Sequence, residues 1–340
     1  MDRRLDALTK WLTAIFAARA FSVTPASEDA SFRRYFRVQL RDASYVVMDA
    51  PPDKEDCRPF VAIAAGFAAR GINVPQVIES DLRQGFLLLT DFGATHYLSV
   101  LDDGNVDGLY RDAIHSLIDL QTPRSDDHLS LPPYDRDLLL REMGLFGEWY
   151  VSRHLAHKLN KNESDLLTQS FDILARSALG QPRVWVHRDY HSRNLMVVPE
   201  RNPGILDFQD AVVGPVTYDL VSLLRDCYIR WPEDQVWAWA EQYRRQAIGR
   251  HLIPPEVGDE QFRRWFDLMG AQRHFKAIGI FARLKYRDGK EGFIGDIPRT
   301  LGYLVSVCAR YDEFSELHEL LVRLSDLDSR SARGPRRNKN

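Results

Sequence analysis

The sequence predicts an α+β protein in two parts, a small lobe in which helix and strand alternate and a larger, mostly helical region. Three observations carry this expectation. Residues 1–92 switch between helical and strand periodicity. From about Tyr97 onward, apolar residues recur at helical spacing. One β interruption, residues 183–208, breaks that helical run. The expected division is therefore 1–92, 93–328 and a short basic tail, 329–340.

The elements follow in order. MDRRLDALTKWLTAIF places Leu5, Leu8, Trp11, Leu12, Ile15 and Phe16 at three- and four-residue steps with charges between, which makes an amphipathic helix and not a signal-peptide core. SFRRYFRVQL, RDAS and YVVMDA then read as strand, turn, strand. Pro59 to Ala69 is apolar and alanine-rich, a helix that stops near Gly71. NVPQVIES and GFLLLTDFG make a hairpin around Asp81 to Gln84. Beyond it, LYRDAIHSLIDLQT, RDLLLREMGLFGEWYVSRHL, ESDLLTQSFDILARSAL, DQVWAWAEQYRRQAI, FRRWFDLMGAQRHFKAIGIFARLKY and TLGYLVSVCARY are helical.

Bulk properties narrow the classes. The 340 residues are 44% hydrophobic and 27% charged, which suits one large domain or two modest ones. A net charge of −3 argues against nucleic-acid binding by the chain as a whole. Five cations and no acid fill Ser329 to Asn340, a composition expected of a solvated, disordered tail. Cys57, Cys227 and Cys308 are odd in number and far apart, which fits a reducing compartment and gives no zinc ribbon. No apolar run reaches membrane-spanning length, so the cytoplasm is the expected location.

Chemistry is concentrated in Val184 to Leu220. A short buried strand leads into the polar loop HRDYHSRN. LMVV and ILDF are short strands joined by PERNPG, and that hairpin returns Asp207 to the neighbourhood of Asn194. Asp189 stands five residues before Asn194 on the same loop. Phosphoryl transfer needs this set: a carboxylate to orient the attacking hydroxyl and take its proton, and oxygen ligands for Mg²⁺ across the phosphates. The order H-R-D, four residues, N, then D-F is the kinase-like signature. It assigns Asp189 as base and Asn194 and Asp207 as metal ligands. Asp and Asn also cap turns, which is the bland alternative.

HRDYHSRN and ILDFQDAVVGPVTYDL resemble the aminoglycoside phosphotransferase and choline kinase group, and the resemblance covers nearly the whole chain. It implies a bilobal, protein-kinase-like fold with ATP between the lobes. Asp219, in Gly214 to Leu220, is then expected to brace the catalytic loop, with His187 as a packing and hydrogen-bonding residue. SFRRYFRV and YVVMDAPP are most similar to a bacterial subgroup, the anomeric kinases for N-acetylmuramate and N-acetylglucosamine in cell-wall recycling. That resemblance implies an amino-sugar acceptor phosphorylated on its anomeric hydroxyl, with Mg²⁺ as cofactor and no obligate protein partner. Backbone groups near Leu89 to Asp91 would meet the adenine edge.

The sequence departs from the generic pattern twice. Ser31 to Val38 stands where a glycine-rich phosphate loop would lie and has no glycine. Ser27, Ser31, Arg33 and Arg34 are candidate side-chain donors to phosphate, and the arginines read equally as the solvent face of an edge strand. Met48 stands where the phosphate-binding lysine belongs, with Lys54 six residues later. Asp91-Phe92-Gly93 spells the metal motif literally but precedes the HRD loop, so it reads as the connection between lobes. His187 and His191 are spaced like helical zinc ligands, yet no third ligand is evident.

The acceptor side is less specific. Glu148, His191, Asp210 and Arg273 are the candidate contacts, with Arg273 the partner expected for a lactyl carboxylate. Aromatic neighbours such as Trp149 and Phe275 more often read as core, and residues such as Arg273 and Lys276 more often as solvated. The alternatives are a kinase of another small alcohol (an aminoglycoside, choline or homoserine) and a nucleotide-binding pseudokinase.

Overall fold

A computed structural model describes residues 2–17, 19–28, 32–125 and 127–332. The elements are α1 (Arg3–Phe16), β1 (Ser22–Glu28), β2 (Arg34–Gln39), β3 (Ser44–Asp49), α2 (Arg58–Ala69), β4 (Val77–Asp81) and β5 (Phe86–Thr90). Then come α3 (Tyr97–Val100), α4 (Val106–Gln121), α5 (Arg136–Leu145), a π-helix (Phe146–His154) and α6 (Lys161–Leu179). The chain continues through β6 (Arg183–Val186), β7 (Leu195–Met196), β8 (Gly204–Ile205), β9 (Val212–Pro215) and α7 (Tyr218–Leu224). It ends with α8 (Glu233–Gly249), α9 (Asp259–Asp288), a 3₁₀ turn (Glu291–Asp296), α10 (Ile297–Cys308), another 3₁₀ turn (Asp312–Phe314) and α11 (Ser315–Ala332).

Two compact units form. The first comprises Met1–Leu120, Arg124–Ser130 and Arg193–Asp210. Its antiparallel sheet has the order β1-β2-β3-β5-β4. Helix α1 starts where Asp2 accepts the amides of Arg4 and Leu5, at 3.0 and 3.2 Å. It lays Leu8, Leu12 and Phe16 on Phe36, Val38, Val47, Phe86 and Leu88 of the sheet. Strand β1 was not anticipated, because SVTPASE is polar and carries Pro25. The structure places it at the sheet edge, where its register shifts between Pro25 and Ser27, and an edge tolerates a missing amide donor. Gly85 closes the β4–β5 turn at φ +72°, and an added Cβ would sit 1.8 Å from the Ala50 carbonyl oxygen.

The second unit comprises Gln121–Pro123, Leu131–Ser192 and Ala211–Asn340. It is helical apart from the antiparallel pair β6–β9. Its centre is α9, buried over most of its length and packed on α5, α6, α7, α10 and the π-helix. The segment expected as one helix, 136–155, instead passes from α5 into the π-helix. At that junction a Cβ on Gly279 of α9 would lie 2.5 Å from the carbonyl carbon of Leu145. The two backbones therefore touch where the helical register changes. At the other end of the chain, α11 continues to Ala332, so the first residues of the expected tail are helical. Residues 333–340, the rest of that tail, lie outside the described residues.

Among the described residues, no helix is long and apolar enough to cross a membrane.

Candidate active site

In the second unit, β6 delivers the chain into the HRD loop, and two buried aspartates fasten that loop. Asp219, fully buried in the first turn of α7, accepts the amide of His187 at 2.7 Å and that of Arg188 at 3.0 Å. Asp226, just past the end of α7, accepts the Ser192 amide at 2.9 Å and the Ser192 hydroxyl. Inside the loop, the Asp189 amide lies 3.2 Å from His187 Nδ1, and the His191 amide donates to the Asp189 carbonyl at 3.0 Å. Arg188 takes φ +78°. Two carboxylates, seven residues apart in sequence, thus hold both ends of the turn that presents Asp189.

Charge is arranged around this turn. Burial pushes the Asp189 carboxyl up, but Lys276, His191, Arg188 and Arg273 outweigh it and hold the group down at about 2. Asp219 goes the other way. Burial pushes it up to about 7 against the two amides that favour its anion, and the neighbouring Asp189 charge adds to the rise. Behind the loop, the Arg188 guanidinium donates to Glu142 of α5 and lies over the Tyr134 ring, 5.7 Å from its centroid. Lys276 Nζ donates to the Tyr218 hydroxyl at 3.0 Å and lies 3.4 Å from Glu142. Burial and the Arg188 charge lower the basicity of Lys276, but Glu142, Tyr218 and Asp189 outweigh them and raise it above the ordinary value.

In the first unit, the β7–β8 hairpin sets Asn194 Nδ2 3.4 Å from Asp207 Oδ2. The Leu206 amide donates to the Asn194 carbonyl at 2.9 Å, which fixes the register of the two side chains. Asp207 takes φ +62°, and Gln209 Nε2 donates to its Oδ1 at 2.7 Å. Phe208 is buried against Phe60 and Phe67 of α2, with ring centroids 4.7 and 5.9 Å away. The other end of the hairpin is tied down at Asn202, whose Nδ2 donates to the Tyr97 hydroxyl at 2.7 Å and to Asp112 at 2.8 Å. Phe92 of the misplaced D-F-G lies over Gly204, where a Cβ would come within 2.6 Å of its ring.

Asn194 and Asp207 together offer hard oxygen donors suited to Mg²⁺, and Asp207 supplies the charge. Among the described residues no cluster of three His, Cys, Asp or Glu side chains is placed to bind a metal. A cation there would complete its coordination with phosphate oxygens and water.

The expected nucleotide contacts are distributed as follows. Ser31 lies outside the described residues. Arg33 is half-buried just before β2, and Arg34 is committed elsewhere: its guanidinium pairs with Asp2 and with the fully buried Asp49, Nε lying 3.0 Å from Asp49 Oδ2. Arg4 pairs with the same carboxylate at 2.7 Å. Met48 is buried in β3 between Tyr35 and Leu87, and Lys54 lies beyond the strand, over the Phe32 ring. Leu89 is buried in β5, paired with Val46 and Val77. The Asp91 side chain accepts from Arg37 Nε at 2.8 Å, from the Ser44 hydroxyl and from the Gly93 amide at 2.8 Å, so it braces the turn after β5.

On the acceptor side, His191 is buried in the loop with its ring edge-on to Tyr228, centroids 5.2 Å apart. Arg273 is buried too, with Nη1 3.5 Å from the Cys227 thiol and its charge felt at Asp189. Glu148 is exposed on the π-helix, and Asp210 is exposed at the end of the first unit's last segment. Sequence reading missed Glu142 and Asp226. Their signals were present: Glu142 interrupts the apolar face made by Leu139 and Met143, and Asp226 follows Asp219 by two helical turns.

A braced H-R-D turn in the helical unit, and in the other unit an Asn–Asp pair on a hairpin and a five-stranded antiparallel sheet, are the parts of a kinase-like phosphotransferase. The chain belongs to the phosphotransferase enzyme family, whose model matches residues 22–266. It is 48% identical over 334 residues to the N-acetylmuramate/N-acetylglucosamine kinase of Pseudomonas aeruginosa, covering 95% of this chain and 97% of that one. In fold it is similar to the choline kinase LicA of Streptococcus pneumoniae, with a TM-score of 0.61 at 12% identity over 89% of this chain and 99% of that one. It is likewise similar to the ADP-bound aminoglycoside phosphotransferase APH(2'')-Ib, with a TM-score of 0.57 at 15% identity over 90% and 99% of the two chains.

Proposed function

We propose that this protein is an ATP-dependent kinase that phosphorylates the anomeric hydroxyl of N-acetylmuramate and N-acetylglucosamine, in the cytoplasm, as a step of peptidoglycan recycling. The observation that carries the acceptor is the 48% identity, sustained over 95% of the chain, to a kinase of those two sugars. Local chemistry supports it. The charges that act most strongly on Asp189 are cations, Lys276, His191, Arg188 and Arg273, with Glu142 and Asp219 as the carboxylates nearby. Such cations attract a carboxylate-bearing sugar, leave a neutral one unaffected and disfavour a cationic acceptor such as an aminoglycoside or choline.

Asp189 is the base. Its carboxylate is ionised at neutral pH, accepts a hydrogen bond from the sugar hydroxyl, aligns it and takes its proton as the bond to the γ-phosphorus of ATP forms and the bond from that phosphorus to the β–γ bridging oxygen breaks, with ADP leaving. Asp219 and Asp226 fix the turn, so little motion is left to the reacting group. Asn194 and Asp207 would hold Mg²⁺, which supplies charge neutralisation at the phosphates when bound. Arg273, whose charge acts on Asp189, would be the partner of an acceptor carboxylate.

The test is an acceptor panel with ATP and Mg²⁺, read by phosphate position. We expect 1-phosphates of both amino sugars, and about 10²–10⁴-fold slower transfer in Asp189→Asn, the usual weight of a general base. Turnover of aminoglycosides alone would sink the acceptor assignment. Near-normal transfer by Asp189→Asn would remove Asp189 as base.

A further inference from the structure

We propose that Glu142, on α5, is a positioning residue for phosphoryl transfer: it clamps the arginine that precedes Asp189 and shares the lysine that bears on it. The proposal rests on the kinase reading above.

Arg188 holds left-handed backbone at φ +78°, which a residue with a Cβ keeps only when its surroundings over-determine it. Two anchors do so. The Arg188 amide donates to Asp219 at 3.0 Å, and its guanidinium donates to Glu142 while covering the Tyr134 ring. Asp189 is the next residue, so any rotation at Arg188 passes straight to the carboxylate that must meet the acceptor. The backbone anchor fixes the start of that peptide. The side-chain anchor stops it from turning.

Glu142 is itself committed on several sides. The Tyr134 hydroxyl donates to it, Lys276 Nζ lies 3.4 Å away, and Gln272 Nε2 lies 3.4 Å from the Tyr134 hydroxyl. These groups come from α5, from α9 and from the segment before α5, and Glu142 is only 6% exposed. Desolvating such an array is expensive, and apolar side chains of similar volume would pack the same space at lower cost. What the carboxylate adds is orientation and a share of charge. Arg188 and Lys276 both act on Asp189, and Glu142 is the anion they have in common. Without it, both cations turn on Asp189 and hold its carboxylate as an ion-pair partner, away from the incoming hydroxyl.

Glu142→Gln keeps the size and removes the charge. We expect kcat to fall by about 10–100-fold, the scale of a misplacement near 1 Å. KM for ATP should change little; the melting temperature should fall, because Arg188 and Lys276 lose their buried anion, so kcat is read well below the melting transition. Arg188→Gln should lose as much, and the double variant should be no slower than the worse single, because both act through one link. Unchanged kcat in a folded Glu142→Gln protein, or losses that multiply in the double variant, overturns the proposal. If Glu142→Gln does not fold, Tyr134→Phe carries the test. It removes one donor to Glu142 and keeps the ring; a lower kcat at constant KM supports the proposal and an unchanged kcat refutes it. A wild-type protein inactive on both amino sugars sinks the acceptor assignment alone, and the variants are then compared on the acceptor that proves active.

Discussion

Asp189 meets two opposed demands. As the proposed base, it must be ionised to orient a hydroxyl, yet basic enough to take its proton. The cations that satisfy the first demand weaken the second, and Lys276 is the strongest of them. Lys276→Met removes that attraction, so the carboxyl should rise from about 2 toward the ordinary carboxylate range. The base is then protonated below its new, higher value. The acid limb of kcat/KM should therefore move to higher pH than in the wild type, which a pH series at fixed ionic strength will read. An unmoved limb would show that Lys276 does not act on Asp189. At this scale, Asp189, Asn194 and Asp207 were legible because they lie close in sequence and in a fixed order. Glu142 was not, since it meets Arg188 across 46 residues and only the packing of α5 brings them together.

Among the elements, the long helices were read where the apolar period is regular, and the exceptions have physical causes. The π-helix begins where the backbone comes closest to Gly279, and that approach is a property of two helices that neither sequence reveals alone. Strand β1 escaped because its proline and polar residues suit an edge. Helices α7 and α9 are joined by a feature that periodicity does not show at all. Arg225, beyond α7, donates to the fully buried Asp267 of α9 at 2.7 Å and to Glu233 of α8 at 2.9 Å. Arg310 Nη1 lies 3.0 Å from Asp267, and the Tyr311 hydroxyl donates to it at 2.9 Å. Asp267→Ala leaves Arg225 buried without this partner and should cost about 3–5 kcal/mol of stability. Urea or guanidinium melts will measure it, and a loss well below that range would mean that Glu233 alone satisfies the arginine.

For the whole molecule, net charge is a poor guide to the site. The chain carries −3 overall, yet the charges that act most strongly on Asp189 are cations. That contrast gives a prediction about salt. Attraction between these cations and the N-acetylmuramate carboxylate is screened as the Debye length falls from ~10 Å at 0.1 M to ~3 Å at 1 M. KM for N-acetylmuramate should rise with ionic strength, and KM for N-acetylglucosamine should stay nearly constant. Parallel behaviour of the two would place the lactyl group away from these charges. The fold class was legible because alternation of periodicity reports it directly. The acceptor was legible only through resemblance, since a sugar is recognised by side chains gathered from separated segments.

The pair Asp219 and Asp226 has a consequence for which changes of length the chain tolerates. One extra residue within 220–224 would rotate everything after it by about 100° around the helix. Ser192 and its carboxylate would then part, and half of the loop's fastening would go with them. The same insertion in the turn between β7 and β8, at the exposed residues 199–201, disturbs the contacts with Asn73, whose Nδ2 donates to the Arg201 carbonyl at 3.0 Å, and none of the bonds that fasten the H-R-D loop. Related chains should therefore vary in length at that turn and keep an unchanged count between the two aspartates.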